Sequence, residues 1–326
     1  MSWRRKITVS DRLRIYFATD LHGSQTCFGK FLNAKDFYGV DALILGGDLA
    51  GKSLVPIESK GNDTWEVTWQ NRRELIESRA GLANLQRQIR RTGCYDVVVD
   101  AAELARLEQE PSHLADVFMQ QMKQRLMDWV NQAEEKLSGK IPCYTMLGND
   151  DPQELDQALD GSSVLVNAED EIVDLPGGYQ LASCGVANTT PWRMPRDVPE
   201  AELSARIDAM VGGIADLSRT IFSFHAPPHD TELDQAPLLD DDFRPVTGSN
   251  GGVVHVGVGS TAVRDRIAYY QPLLSLHGHI HECSAMATLG RTVALNPGSE
   301  YQSGVLRGAI IELRGSAKPH WQLVQG

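Results

Sequence analysis

The sequence predicts an α/β fold whose central sheet is buried on both faces. Two observations predict it: five short, continuously apolar runs, and segments with helical spacing between them. The chain has 326 residues, of which 42% are hydrophobic. A chain of this length forms one large domain or two ordinary ones and buries a core without disulfides, which excludes disordered and fibrous classes.

The predicted strands share one property, which is that polar residues follow each of them directly. The strands are residues 14–18, 42–45, 141–147, 221–224 and 273–276. They are followed by Asp20 and His22, by Asp48, by Asn149 and Asp150, by His225, and by His279 and His281. Ligand sites of open α/β sheets lie beyond the carboxyl ends of the strands. We therefore expect these side chains to converge in one composite site.

Two other segments complete the predicted order of elements. A helix over residues 24–37 follows the first strand, with Ser24 as its N-cap, and the tail from 284 to 325 is rich in β-type runs. Residues 52–140 interrupt the alternation, and they are predicted to form an inserted subdomain within a single domain of residues 1–326.

The insertion at 52–140 is predicted to be a hairpin followed mainly by helices. The hairpin turns at residues 60–63, a charged helix covers 71–91, a short strand covers 96–99 and an amphipathic helix covers 113–137. Because the insertion begins between two of the polar strand ends, it is expected to cap the site, to form a dimer interface or to pack beside the core.

Charge and cysteine content limit the partners and the compartment. The net charge is −12, so the chain repels polyanions, and non-specific nucleic-acid binding is not expected. Five separated cysteines without a C-x-x-C pair indicate free thiols in a reducing cytoplasm. The sequence contains no run of 18 apolar residues, so no membrane span is expected. Charged residues at 11–14 interrupt the apolar region that a signal peptide would need, so no signal peptide is expected.

The residue types at the strand ends indicate divalent metals. Imidazole nitrogens with carboxylate and amide oxygens, and no thiolate, suit first-row divalent ions. Seven such side chains are too many for one ion, whereas two ions about 3.5–4 Å apart with a shared carboxylate would use them all. A polar loop cluster without metal is the alternative, and the number of converging donors argues against it.

The order of these motifs resembles that of the calcineurin-like metallophosphoesterase superfamily. The series reads D-x-H, G-G-D, G-N-x-[D/E], H and G-H-x-H, and it runs from Asp20 to His281. Residues 148–152, 277–282 and 296–301 are similar in particular to the Icc-related predicted phosphoesterases of prokaryotes. The resemblance implies an αββα sandwich, in which two mixed β-sheets are flanked by helices, here with a largely helical insertion.

The resemblance also implies a ligand set and a reaction. It implies that Asp48 bridges two metals, the first held by Asp20, His22 and His281 and the second by Asn149, His225 and His279. The metals would be Mn, Fe, Zn or Ni. The implied activity is that of a hydrolase, most of all a phosphodiesterase, acting on a small or nucleotide-type phosphate ester through a hydroxide that the two metals activate.

The sequence departs from the family at Asp150, where most active members have a histidine that faces the scissile phosphate. An ionised carboxylate donates no proton, and two bound cations should lower the pKa of Asp150 further. Three alternatives follow. His277 or His229 supplies the proton, the substrate has a good leaving group, or the protein is a non-catalytic scaffold that binds metal and ligand. The complete ligand set favours the hydrolase.

A second segment carries candidate phosphate contacts. Gly257 and Gly259 precede Ser260 and Thr261 at the start of a predicted helix, where backbone N–H groups can bind an anion. Arg264 adds a cation one turn later. These three polar residues, Ser260, Thr261 and Arg264, are therefore candidate substrate-binding residues. The alternative is a capped helix on the protein surface.

Overall fold

The structure, a computed structural model, describes residues 12–249 and 251–326, so the predicted absence of a signal peptide concerns a segment outside the described residues. The α-helices are α1 (Gln25–Tyr38), α2 (Arg79–Arg91), α3 (Ala101–Gln109), α4 (Pro111–Leu137), α5 (Asp156–Leu159), α6 (Glu200–Val211) and α7 (Thr261–Tyr270). Strands β1 to β10 are Arg12–Ala18, Ala42–Leu45, Leu54–Gly61, Thr64–Trp69, Arg72–Ile76, Tyr95–Val99, Cys143–Thr145, Leu165–Asn167, Ile172–Leu175 and Tyr179–Cys184. Strands β11 to β20 are Ala187–Asn188, Asp197–Val198, Thr220–Phe224, Gln235–Pro237, His255–Gly257, Leu274–Leu276, Ala285–Leu289, Thr292–Asn296, Arg307–Arg314 and His320–Gln325.

Two six-stranded mixed sheets form the centre of the fold. The first has the order β20-β19-β1-β2-β7-β8, and the second has the order β17-β18-β16-β13-β10-β9. In the first sheet β1, β2, β7 and β8 are parallel, and in the second β10, β13, β16 and β18 are parallel. Antiparallel strands complete the first sheet on one side and the second sheet on both sides. This is the predicted sandwich of two mixed sheets.

Alternation along β1 shows how the layers are built. Ile15 and Phe17 are fully buried in the apolar core between the two sheets, where they pack with Ile221 of β13. Tyr16 and Ala18 point to the opposite face, which packs against α1 and α4. Because successive side chains of a strand face opposite ways, one apolar strand serves two cores. The outer face of the second sheet is covered by α6 and α7.

Helix α1 begins and ends where the sequence predicts. The Ser24 side chain accepts a hydrogen bond from the Cys27 backbone N–H, and Gly39 closes the helix in the left-handed conformation. Phe28 of α1 stacks on Trp129 of α4, with ring centroids 4.2 Å apart. This contact packs the inserted helix α4 against the core on the outer face of the first sheet.

The insertion differs in part from its prediction. Strands β3 to β6 form a four-stranded sheet of order β5-β4-β3-β6, joined by helices α2, α3 and α4. The predicted helix over 71–91 is wrong in its first part, because Gln70 and Asn71 have positive φ angles and turn the chain into β5. Helix α2 starts only after the Ser78 N-cap. The division into one domain with an insertion stays a prediction.

Two further findings concern the predicted compartment. All five cysteines are free thiols, and four of them are buried. Among the residues that the structure describes, no helix combines the length and apolar content needed to cross a bilayer. The cytoplasmic location stays a prediction.

Candidate metal centre

Loops at the carboxyl ends of β1, β2, β7, β13 and β16 bring the seven predicted ligand residues together. One group of four converges most closely, and each member offers a ligand atom within 4.8 Å of the others. The group is Asp20, His22, Asp48 and His281. The Nε2 atoms of His22 and His281 are 3.0 Å apart, and His281 Nε2 is 3.2 Å from Asp20 Oδ1. Donor atoms from three loops thus face one another at a single point.

The remaining three predicted ligands form a second group beside the first. His279 Nδ1 lies 2.9 Å from Asn149 Oδ1, and the rings of His225 and His279 meet edge to face with centroids 5.4 Å apart. Asp48 joins the groups, because its Oδ2 lies 3.3 Å from His225 Nε2 and 3.5 Å from His22 Nε2. This is the position that the resemblance implies for a bridging carboxylate.

The donor atoms fit a metal better than they fit one another. His225 Nδ1 faces the Gly46 carbonyl oxygen at 2.8 Å, which leaves Nε2 directed into the cluster. That Nε2 atom is buried, and its nearest partner is the Asp48 carboxylate at 3.3 Å, in a geometry poor for a hydrogen bond. His22 is arranged in the same way, with Nδ1 facing the Ala50 carbonyl oxygen at 3.2 Å. Backbone carbonyls that hold the outer ring nitrogen are typical partners of metal-binding histidines.

Within this cluster the protein shifts the pKa values of different histidines in opposite directions. Burial lowers the pKa of His22 to about 3 and that of His279 to about 4, so both imidazoles stay neutral. Burial opposes protonation of His225 as well, but the Asp48 and Asp20 carboxylates raise the pKa of His225 to about 10. A proton on His225 thus balances the buried carboxylates. Divalent cations would supply that positive charge in its place.

Backbone strain is concentrated in the same loops. Asp20, His22, Asp48 and His279 all have positive φ angles, between 41° and 68°, which side chains with a Cβ rarely adopt. Gly148 adds a close approach, since a Cβ there would overlap the Asp48 carboxylate and backbone nitrogen. The fold therefore holds these residues in costly conformations to direct their side chains inward.

Two aspartates that are not predicted ligands position those that are. Asp197 accepts a hydrogen bond from Asn149 Nδ2 at 2.8 Å, which turns Asn149 Oδ1 toward His279. Asp151 is fully buried and accepts backbone N–H groups from Leu49, Ala50 and Gly148, and so ties the Asp48 loop to the Asn149 loop. The G-N-x-[D/E] motif includes Asp151, whereas Asp197 lies far along the chain without a motif to reveal it.

Asp150 lies at the edge of the cluster with a partner that the sequence did not suggest. Its backbone N–H donates to Asp48 Oδ1 at 3.1 Å, and its carboxylate forms an ion pair with the ammonium of Lys52. Burial and the Asp48 charge raise the pKa of Asp150 to about 6. This direction is opposite to the lowering expected from two bound cations, because the protein alone supplies mainly burial and a like charge.

The two candidate proton donors lie in different surroundings. His277 is buried, with Nδ1 2.9 and 3.0 Å from the carbonyl oxygens of Phe224 and Ala226, and burial lowers its pKa to about 4. It is therefore held neutral, which argues against its predicted role as the acid. His229 is part-exposed in the loop after β13, the same loop that carries His225, with Nδ1 3.3 Å from Asp234. Among the described residues, the His229 side chain has no hydrogen bond or ion pair with a predicted metal ligand, and its role as proton donor stays a prediction.

The candidate phosphate contacts Ser260, Thr261 and Arg264 are hydrogen-bonded to other groups of the protein. The Glu200 carboxylate accepts hydrogen bonds from Ser260 Oγ and from the backbone N–H groups of Thr261 and Ala262. Arg264 Nη1 donates to the His229 and Asp230 carbonyl oxygens and to the Asp230 carboxylate. The Glu200 carboxylate thus caps this helix, which favours the capped-helix alternative, and a role of these residues in substrate binding stays a prediction.

A cavity of about 430 Å³ opens beside the metal centre. Tyr301 forms part of its wall and packs against His22, with ring centroids 4.7 Å apart. Arg307 and Glu300 form another part of the wall and are ion-paired at 3.1 Å. The volume is within the range of small-molecule sites.

The double-sheet sandwich and the converging strand-end residues have the arrangement that the resemblance to the calcineurin-like metallophosphoesterase superfamily implies. The solved structure of TT1561 from Thermus thermophilus shares this fold, with a TM-score of 0.54 and 16% identity over 96% of this chain and 98% of that one. A dimetal phosphatase from Danio rerio also aligns, at 8% identity over 95% of this chain and 98% of that one, with a TM-score of 0.41.

Sequence comparison adds little to the structural likeness. The uncharacterized protein MJ1162 of Methanocaldococcus jannaschii is 23% identical over 164 residues. The match spans half of this chain and 66% of that protein, slightly less than two thirds of its length. No family model matches the chain. The narrower resemblance to the Icc-related phosphoesterases stays a prediction.

Proposed function

We propose that the chain is a phosphoesterase that depends on two divalent metal ions and hydrolyses a small or nucleotide-type phosphodiester. The position of Asp48 carries the proposal. Its carboxylate contacts His22 of one donor group and His225 of the other, and both histidines direct an Nε2 atom at it. A single carboxylate between two sets of donors is the arrangement that a metal pair requires.

Each side of the pair would have three further ligands. Asp20, His22 and His281 would hold one ion, and Asn149, His225 and His279 would hold the other. When bound, such ions polarise phosphoryl oxygens and lower the pKa of coordinated water. The protein prepares the site beforehand, because backbone carbonyls fix the rings of His22 and His225 while Asp197 fixes Asn149.

The surroundings of the metal centre favour a small substrate. The cavity beside His281 and Tyr301 has a volume of about 430 Å³, which accommodates a nucleotide-sized ester. The net charge of −12 disfavours long polyanions. A small phosphodiester carries one negative charge and meets the positive charge of the metals at short range.

The test is turnover by protein that is stripped of metal and reloaded with Mn²⁺. Bis-p-nitrophenyl phosphate and p-nitrophenyl phosphate are assayed side by side, with bound manganese measured in the same samples. We expect Mn²⁺-dependent cleavage, faster for the diester. Asp48→Ala should lose more than ~100-fold in rate, beyond the usual cost of losing an outer-shell partner. Asp36→Ala, which changes an exposed aspartate on α1, is the matched control.

The outcomes separate the hydrolase from its alternatives. Wild-type turnover by Asp48→Ala would contradict the two-metal mechanism. Two manganese ions per chain without cleavage of either ester would instead support the scaffold alternative, in which the protein binds metal and ligand without catalysis. Faster cleavage of the monoester would retain the phosphoesterase and overturn the preference for diesters.

A further inference from the structure

We propose that the Lys52 ammonium, held in place by Asp150, faces the leaving oxygen of the substrate and stabilises the negative charge that develops there. The inference rests on the proposed function and names the group that acts beside the metal centre. Lys52 is therefore inferred to be a catalytic residue, and Asp150 a positioning residue that acts through it.

The backbone beneath Lys52 is fixed to the metal centre. The preceding residues Leu49 and Ala50 donate their N–H groups to the buried Asp151 carboxylate at 2.9 and 2.7 Å. Gly51 donates its N–H to the Tyr95 hydroxyl at 2.8 Å, and a Cβ at Gly51 would overlap the backbone of a neighbouring loop. Hydrogen bonds and close packing therefore hold the backbone between Asp48 and Lys52 in one conformation.

The side chain of Lys52 points back to the cluster. Its ammonium pairs with Asp150, whose own N–H donates to Asp48 Oδ1. The Asp150 side chain is only 10% exposed, whereas that of Lys52 is 46% exposed. An ammonium has three donors, so the pair with Asp150 leaves others available on a side chain that is part-exposed. A substrate oxygen arriving at the metal centre would meet them.

Three other cationic side chains are paired with different partners. Arg196 is buried, with Nη2 2.5 Å from Glu169 and Nη1 donating to the Gly148 carbonyl oxygen at 3.0 Å. Arg307 pairs with Glu300, and Arg264 holds the His229–Asp230 loop. Lys52 differs from these because it is part-exposed and its carboxylate partner, Asp150, is hydrogen-bonded to Asp48.

The chemical step is the hydrolysis of a phosphodiester by water. A bond forms between the water oxygen and phosphorus, and the bond between phosphorus and the leaving oxygen breaks. The electron pair of the broken bond stays on the leaving oxygen, where the Lys52 ammonium stabilises it. The water supplies both protons of the balance: one passes to the leaving oxygen through solvent and the other is released from the acidic product. A preorganised donor at such a charge is worth about 10²–10³ in rate.

The test compares two esters that differ only in the leaving group. Methyl p-nitrophenyl phosphate has a good leaving group and methyl phenyl phosphate has a poor one, which needs more stabilisation. For Lys52→Met we expect kcat to fall ~100-fold on the phenyl ester and about tenfold or less on the nitrophenyl ester. Lys52→Arg should retain part of the rate. Asp150→Asn should show a smaller fall with the same dependence on the leaving group.

Controls distinguish this inference from the proposed function. Lys60→Met changes another part-exposed lysine with carboxylate partners, far along the insertion hairpin, and should match wild type. Bound manganese should stay at the wild-type value in Lys52→Met. Equal losses on both esters, or a loss that follows loss of manganese, would overturn the role of Lys52 while leaving the phosphoesterase intact. An inactive wild-type protein with two bound metals would overturn both.

Discussion

Two regions of the molecule carry clustered polar residues, and the polar groups of the two regions are satisfied in opposite ways. In the strand-end loops, His22, His225 and His281 direct Nε2 atoms at one another and at carboxylates, and the buried His225 Nε2 meets only the Asp48 carboxylate, in a geometry poor for a hydrogen bond. In the segment 257–264, by contrast, the polar groups are satisfied by protein, chiefly by Glu200 and by the loop that Arg264 holds.

The difference teaches how a binding site can be separated from a structural polar cluster. Burying a polar atom without a partner costs free energy, so a fold retains such atoms where a ligand completes them. A helix N-terminus that is already capped by a carboxylate has no such deficit. The strand-end loops also hold Asp20, His22, Asp48 and His279 at positive φ, which adds strain to the same place.

The largest effect is expected from Gly148→Ala, which distorts the strand-end loops without removing a predicted metal-binding side chain. The added Cβ would overlap Asp48 and push it away from His22 and His225. We expect loss of both metals and of turnover, with a cost in unfolding free energy of about 1–3 kcal/mol. Manganese content, activity and thermal unfolding are measured on the same preparation.

Gly29→Ala is the control for this variant. Gly29 lies within α1, and a Cβ there would meet no atom within 4 Å. Replacing it should stabilise the protein by about 0.5–1 kcal/mol and leave metal binding unchanged. Full metal occupancy in Gly148→Ala would show that the loops are less tightly constrained than the close approach indicates.

A smaller effect is expected from Asp197→Ala, which removes a partner of a ligand. Asn149 would lose the acceptor for its Nδ2 group, and its Oδ1 would no longer be held toward His279. We expect a loss of about 10–100-fold in manganese affinity, concentrated on the ion that Asn149 would hold. Titration of metal-free protein with Mn²⁺ measures both affinities.

The control must account for the loop that Asp197 also stabilises. Asp216→Ala removes a similar carboxylate that accepts from Ser218 at the start of a short helical turn elsewhere. Both variants should lose some stability, but only Asp197→Ala should lose metal affinity. Equal metal affinities in the two variants would mean that Asn149 needs no outer partner.

Much of the fold and the ligand set could be predicted because short-range patterns determine them. Strands such as 42–45 are continuously apolar, and each ends in a motif whose spacing is visible in the sequence. Asp20 follows a parallel strand of the first sheet and His281 follows one of the second, so both positions agree with the rule that ligand sites lie at the carboxyl ends of such strands. The packing of the two sheets against each other then brings the two residues together. The cap at Ser24 depends on its immediate neighbours.

The features that could not be predicted depend on partners distant in the chain. Lys52 pairs with Asp150 and Asp197 holds Asn149, and neither pair has a local pattern that reveals it. The Gly257–Thr261 stretch has the composition of an anion site, and only the packing of α6 brings Glu200 onto it. In the insertion, the turn at Gln70 and Asn71 places two non-glycine residues at positive φ, which composition does not signal.

The smallest effect is expected from Glu200→Gln, which tests the segment 257–264, where the polar groups are already hydrogen-bonded within the protein. Glu200 accepts from Ser260, Thr261 and Ala262, so weakening it should cost about 1 kcal/mol of unfolding free energy. Because those groups cap a helix and contact no predicted ligand, kcat/KM for bis-p-nitrophenyl phosphate should stay within about twofold of wild type, a difference worth less than about 0.5 kcal/mol. A tenfold change in KM would mean that the helix N-terminus contacts substrate after all. It would also show that a polar group already paired within the protein can still exchange its partner for a phosphate.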